Sequence, residues 1–143
     1  MSVKNKKTRI MVFGTFDGLH EGHRNFFKQA RKLAKKSFLI VSIARDENVI
    51  KIKGKRPELK EKKRMALVKK YKVVDKVILS GIRNHLPHII GENPDIIALG
   101  YDQKVYVKNL KKDLKNKGIS VKIVRLRAYK KNIFKNRLIK QKR

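Results

Sequence analysis

The stretch GTFDGLHEGH, residues 14 to 23, sets two imidazoles, His20 and His23, at i and i+3, beside Asp17 and three glycines, Gly14, Gly18 and Gly22. Histidines so spaced can point the same way and donate hydrogen bonds to an anion, or they can ligate a metal. Zinc is the weaker reading. The zincin pattern needs i, i+4 on a regular helix, whereas Gly22 interrupts here and no third ligand is evident, so no metal-ligating residues are expected. Satisfied structural histidines are the bland alternative. Gly14 would let a ligand approach the backbone, and Gly18 and Gly22 would permit turn dihedrals that cost other residues more. A helix starting near His23 would add free N–H groups and a positive dipole end, which together suit a phosphate. Neither G-x-x-x-x-G-K-[ST] nor G-x-G-x-x-G follows this segment, so P-loop chemistry and dinucleotide binding lose weight.

Positioning such a junction requires a strand before it and a helix after it. Five short, nearly continuous apolar runs rich in β-branched residues recur along the chain: RIMVFGTF, SFLIVSIA, KVVDKVILS, DIIALGY and SVKIVRLR. Parallel strands covered on both faces read this way. Between them lie segments of helical spacing: Phe26, Phe27, Ala30, Leu33 and Ala34; then Met65, Ala66, Val68 and Val73; then Leu86, Ile89 and Ile90; then Val105, Leu110 and Leu114. The alternation predicts an α/β fold, a single Rossmann-like doubly wound domain over residues 1–143 with a five-stranded parallel sheet. Ligands of such sheets bind outside the carboxyl ends of the strands, and the first strand is expected to stop near Thr15. The Lys-rich stretches at 51 to 63 and 128 to 143 read as a loop and a basic C-terminal tail from about residue 130.

Composition limits the ligand class. Across 143 residues, 40 Lys plus Arg stand against 11 Asp plus Glu, a formal net charge of +29, which attracts nucleotides, nucleic acid or anionic surfaces alike. Cysteine is absent, which removes disulfides, thiolate metal sites and cysteine nucleophiles. The run IMVF is too short for a signal-peptide core and nothing approaches a membrane span, so a soluble cytoplasmic protein without a membrane partner is expected.

The motif resembles the G-T-F-D-x-x-H-x-G-H signature of the cytidylyltransferase-like nucleotidyltransferases, with Gly14, Thr15, Phe16, Asp17, His20, Gly22 and His23 all in register. Further stretches, ARDENVIKIKGKRP, PDIIALGYDQ and VRLRAYKKNIF, are similar to one branch of that family, the archaeal-type FAD synthases. The resemblance implies transfer of a nucleoside monophosphate from ATP or CTP to a phosphorylated acceptor, FMN being favoured, with Mg2+ accompanying the triphosphate. The acceptor phosphate would attack the α-phosphorus in line and pyrophosphate would leave, so no protein nucleophile is required.

Residue by residue, the resemblance assigns Gly14, Thr15, Phe16, Asp17, His20, Gly22 and His23 to the nucleotide, with the two histidines serving the triphosphate and Asp17 helping to place the acceptor or the magnesium. It also implies a lysine after the second strand, for which Lys51, Lys53 and Lys55 compete, and an arginine early in the next helix, which is Arg64. In a chain this rich in lysine a solvated charge is the competing reading for any of them. Asp102 and Tyr129 are implied to bind nucleotide, against a helix cap and a packed ring as the plain alternatives. Near the C-terminus the family usually carries a Ser/Thr pair followed by a cation, where this chain reads FKNRLIK; Asn136 replaces a hydroxyl residue, and Arg137, depending on a one-residue gap, keeps the cation or displaces the second hydroxyl. His85 and His88, flanking Pro87, match no motif and read as surface residues.

Two alternatives stay open. One is a glycerol-3-phosphate or other polyol or sugar-phosphate cytidylyltransferase using CTP. The other is a basic RNA-binding module on the same fold, since the stretch from Tyr129 to Arg143 holds seven Lys or Arg, two aromatics and no acid. Members of the family often pair as homodimers, although nothing in the sequence locates an interface.

Overall fold

In the computed structural model, which describes residues 6–82, 84–103 and 107–128, strands and helices alternate. The order is β1 (Thr8–Gly14), α1 (Glu21–Arg31), β2 (Ser37–Ile43), α2 (Asp46–Lys53), α3 (Glu61–Lys70), β3 (Lys76–Leu79), α4 (Leu86–Glu92), β4 (Ile96–Leu99), α5 (Val107–Asn116) and β5 (Lys122–Arg125). All pairings are parallel, and the strands lie in the order β3-β2-β1-β4-β5.

The apolar runs are continuous because each face of the sheet is covered. Along β1, Ile10 and Val12 join Leu39, Val41 and Ile43 beneath Phe27 and Ala30 of α1 and Val68 of α3. Met11 and Phe13, one residue out of phase, join Ile40, Ile97 and Leu99 beneath Ile89 of α4 and Leu110 and Leu114 of α5. Sequence order reverses between β1 and β4, and a crevice at their carboxyl ends is the consequence.

The five strands and the helices α1, α3, α4 and α5 fall where the periodicity puts them, whereas α2 is new. Residues 51 to 53 close that helix and 61 to 63 open α3, so only 54 to 60 of the expected loop is irregular. Helix α2 buries just Asn48 and Val49, too sparse a face to leave a periodic signal, and Gly54 in the left-handed region (φ 75°) ends it. Val73 lies beyond α3 yet still packs on the core. Val105 lies outside the described residues.

Candidate active site

Strand β1 is hydrogen-bonded on both sides, so its end at Gly14 delivers the following turn to the middle of the sheet. Phe16 adopts φ 50° in that turn, a left-handed conformation that costs a non-glycine residue about 1–2 kcal/mol. Burial of its ring offsets this cost. The ring is 5% exposed and packs on Phe27 with centroids 5.0 Å apart. It also fills the space beside Gly14, where a Cβ would stand 2.5 Å from Phe16 Cζ. Gly14 therefore makes room for a phenyl ring, a need that its expected role of admitting a ligand to the backbone did not include. Gly18 does use glycine's freedom, at φ 97°. Gly22 does not. It lies inside α1, and its bare Cα accommodates His20, whose Cε1 would be 2.8 Å from a Cβ there.

Helix α1 starts at Glu21 rather than near His23, because His20 caps it. The His23 backbone N–H donates to His20 Nδ1 at 3.3 Å, and the His20 backbone N–H donates to His23 Nδ1 at 3.4 Å. With both Nδ1 atoms accepting, each neutral ring carries its proton on Nε2. The rings stack, centroids 3.7 Å apart and planes 20° apart, and the His23 ring stands edge-on to Phe16 at 5.2 Å. Burial, then the neighbouring His20, lowers the His23 pKa to about 4, so His23 is neutral at pH 7. His20 is the more exposed of the two.

Asp17 accepts the backbone N–H groups of Glu58 and Leu59, each at 2.7 Å, and so ties the 54–60 segment to the turn. Desolvation pushes its carboxyl up, but those two donors, with Arg64 and Lys53 nearby, hold it below the ordinary carboxylate value.

Arg64 departs from expectation. Its side chain is fully buried and donates to the carbonyls of Leu59, Thr15 and Ala44 at 2.9, 2.9 and 2.7 Å and to Asp46 Oδ1 at 2.5 Å. It does not line the cleft. The charge fastens the Thr15 turn to the ends of β2 and the start of α2, where it holds the Asp46 carboxyl down against desolvation. Four of its five N–H groups are spent on these acceptors.

A cleft of about 740 Å³ opens over the carboxyl ends of the strands. Gly14, Thr15, Phe16, Asp17, His20, Gly22 and His23 line it, as do Lys53 and Asp102, so the structure brings together every expected residue of the motif. Lys51 and Lys55 are exposed and do not line it. Tyr129, Asn136 and Arg137 lie outside the described residues.

Several lining residues escaped the sequence reading. Gln103 accepts from the Gly100 N–H at 2.8 Å and donates to the Phe13 carbonyl at 2.7 Å, locking the ends of β4 and β1 together. Gln29 exchanges two 3.0 Å hydrogen bonds with the Arg127 backbone and donates to Asn25 at 2.6 Å, fixing the segment after β5 to α1. Ser42 and Ser80 close the β2 and β3 side of the cleft. His88 is half-buried rather than a surface residue, with Nε2 3.0 Å from Ser42 Oγ and its ring edge-on to Phe13 at 6.1 Å; His85, beside it, is half-buried too. The one available signal was a lone polar residue at the end of an apolar run, as with Ser42 and Ser80.

Paired imidazoles on a helix N-terminus, at the switch point of a doubly wound parallel sheet, are an arrangement suited to binding phosphate groups. The chain belongs to the cytidylyltransferase-like family, which it matches over residues 11–141, and it is a nucleotidyltransferase. It is 45% identical over 119 residues to a FAD synthase of Korarchaeum cryptofilum, spanning 82% of this chain and 80% of that protein. It is 40% identical over 141 residues to a FAD synthase of Thermococcus sibiricus, spanning 97% and 94%. Among solved structures, it resembles one described as the lipopolysaccharide core biosynthesis protein from Thermoplasma volcanium, with TM-score 0.79, 40% identity, and coverage of 87% of this chain and 99% of that one. Among the described residues no group of three or more His, Cys, Asp or Glu could hold a metal ion, and no helix is long and apolar enough to cross a membrane.

Proposed function

We propose that this protein transfers AMP from ATP to FMN, forming FAD and releasing pyrophosphate. The observation that carries the reading is the His20–His23 pair at the mouth of the cleft, in a chain 40–45% identical to FAD synthases over most of its length. These relatives favour FAD formation over cytidylyl transfer to a polyol phosphate and over an RNA-binding module.

An FMN phosphate oxygen attacks the α-phosphorus of ATP, one P–O bond forms, the bond to the β-phosphate oxygen breaks, and pyrophosphate departs with the electron pair. Charge spreads onto the phosphoryl oxygens in the transition state, so fixed donors there lower the barrier without a protein nucleophile. The His20 Nε2–H and the free N–H groups opening α1 supply such donors, His23 orients His20, and Lys53 adds a cation from the α2 rim. The Thr15–Phe16 turn, Asp102 and, outside the described residues, Tyr129 and Arg137 are assigned to the nucleotide. Magnesium would enter with ATP and offset the charge of its phosphates, with no side chain of the described residues required to hold it. Both Asp17 oxygens accept backbone N–H groups, which suits holding the turn rather than caging an ion.

The test is pyrophosphate release and FAD formation from ATP plus FMN, with CTP plus glycerol 3-phosphate in parallel. Turnover of the first pair and its loss in His20→Ala are expected. Turnover of the second pair alone would overturn the assignment.

A further inference from the structure

The cleft has two flanks. Gly100, Tyr101, Asp102 and Arg127 form the β4–β5 side, and Ser42, Ala44, Ser80, Ile52 and Lys53 form the β2–β3 side. With the nucleoside assigned to the Asp102 side and the pyrophosphate to the α1 N-terminus between the flanks, the β2–β3 flank is the lining left for the acceptor.

Two hydroxyls converge on that flank. In the parallel register Ser42 pairs with Ile78, and the Ser80 N–H continues the ladder to the Ile43 carbonyl at 2.9 Å. Ser80 is two residues past Ile78, so it and Ser42 are diagonal neighbours on one face of the sheet. Both are buried, at 1% and 5% exposure, and both line the cleft. Ser42 Oγ lies 3.0 Å from His88 Nε2, whereas Ser80 Oγ has no hydrogen-bond partner among the described residues. A buried hydroxyl left unpaired costs about 1–3 kcal/mol, a cost that a ligand group bonded to it removes. Burial, with His85 adding to it, keeps His88 uncharged at pH 7. A neutral His88 can donate Nε2–H to Ser42 Oγ, which frees the Ser42 proton for a ligand. On the α2 rim above, Ile52 is 62% exposed and offers an apolar surface to a flat ring.

We propose that Ser42 and Ser80 are the acceptor-specificity residues, hydrogen-bonding the edge of the flavin ring that alternates carbonyl, N–H and carbonyl, and that His88 is a positioning residue acting through Ser42. The proposal rests on the FMN reading above. It explains why polar residues follow the apolar Ile40 and Ile78 on this face at the carboxyl ends of the two strands.

Steady-state kinetics on the full chain with FMN, with N3-methyl-FMN and with ATP varied independently test it. Ser42→Ala and Ser80→Ala each raise KM for FMN roughly tenfold, the loss of one hydrogen bond to a buried group, and leave KM for ATP unchanged. Wild type discriminates against the N3-methylated acceptor, and the double serine variant loses that discrimination. His88→Leu reproduces Ser42→Ala, and His88→Gln, which keeps a donor for Ser42, restores wild-type KM; thermal melts verify that each variant is folded. Unchanged KM for FMN in folded serine variants, or an equal rise in KM for ATP, overturns the proposal while FAD synthesis stands. Failure of wild type to make FAD at all would instead remove the proposed function, and this inference with it.

Discussion

His20 and His23 hold each other through backbone and ring at once: each Nδ1 accepts the other's backbone N–H, and the rings stack with centroids 3.7 Å apart. The side chain that caps α1 is thus the one proposed to donate to the phosphates, His20, with His23 holding it in place. Substitution at position 20 can separate the two roles. His20→Ala should lose about 1 kcal/mol of stability with the cap, and also two or more orders of magnitude in kcat with the donor. His20→Asn, which caps well, should recover the stability and not the rate. Denaturant titration beside initial rates checks the pair, and recovery of rate by Asn would show that capping was the whole contribution.

Gly22 has a different sensitivity. A Cβ there would meet His20 Cε1 at 2.8 Å, while the position itself is ordinary helix. Alanine is the better helix former by about 1 kcal/mol, so Gly22→Ala should leave the melting temperature near wild type and yet depress kcat by tilting the His20 ring. A variant both stable and fully active would mean that ring placement is not critical.

Arg64 and Lys53 should behave oppositely. Removing Arg64 leaves the carbonyls of Leu59, Thr15 and Ala44 without their donor, and each buried acceptor left unpaired costs about 1–3 kcal/mol, whereas Asp46 is exposed enough to turn to water. Arg64→Met is therefore expected to unfold at much lower denaturant, whereas Lys53→Ala, on the acceptor flank, should fold as wild type and show a raised KM for FMN. Normal stability with weakened ATP binding in the Arg64 variant would return that residue to the phosphates.

The pH dependence of stability follows from the buried imidazoles. His23 and His88 both titrate near 4 in the folded protein, against 6.5 ordinarily, so between those values the unfolded chain binds more protons. Their contribution is complete above pH 6.5 and is lost as pH falls toward 4. Asp17 and Asp46, depressed below 3.8, weaken the fold further only at still lower pH. The urea midpoint should decline through the histidine window, and less steeply in His88→Gln. A flat midpoint there would show that both rings charge freely in the native state.

The five strands and the β1–α1 junction were legible in the chain itself. A strand covered on both faces must be apolar at nearly every position, as RIMVF and FLIV are, and a turn that carries chemistry must keep its glycines and histidines in fixed local register. Helix α2 was not legible, because Asn48 and Val49 alone give no period. Nor was the inward course of Arg64, since an arginine in EKKRMALVKK looks like its cationic neighbours until Asp46 and the Thr15 carbonyl surround it. Gly14 offered a plausible local reason, ligand access, and folding supplied another, the Phe16 ring. Ser80 and His88 lie 38 and 46 residues beyond Ser42, and only the β2–β3 register and the packing of α4 bring the three together. Local sequence determines which segments are strands and which junction is reactive because those properties depend on near neighbours. Which lone polar side chain faces the cleft and which is sealed in the core depends on contacts between distant segments, and these exist only once the sheet has assembled.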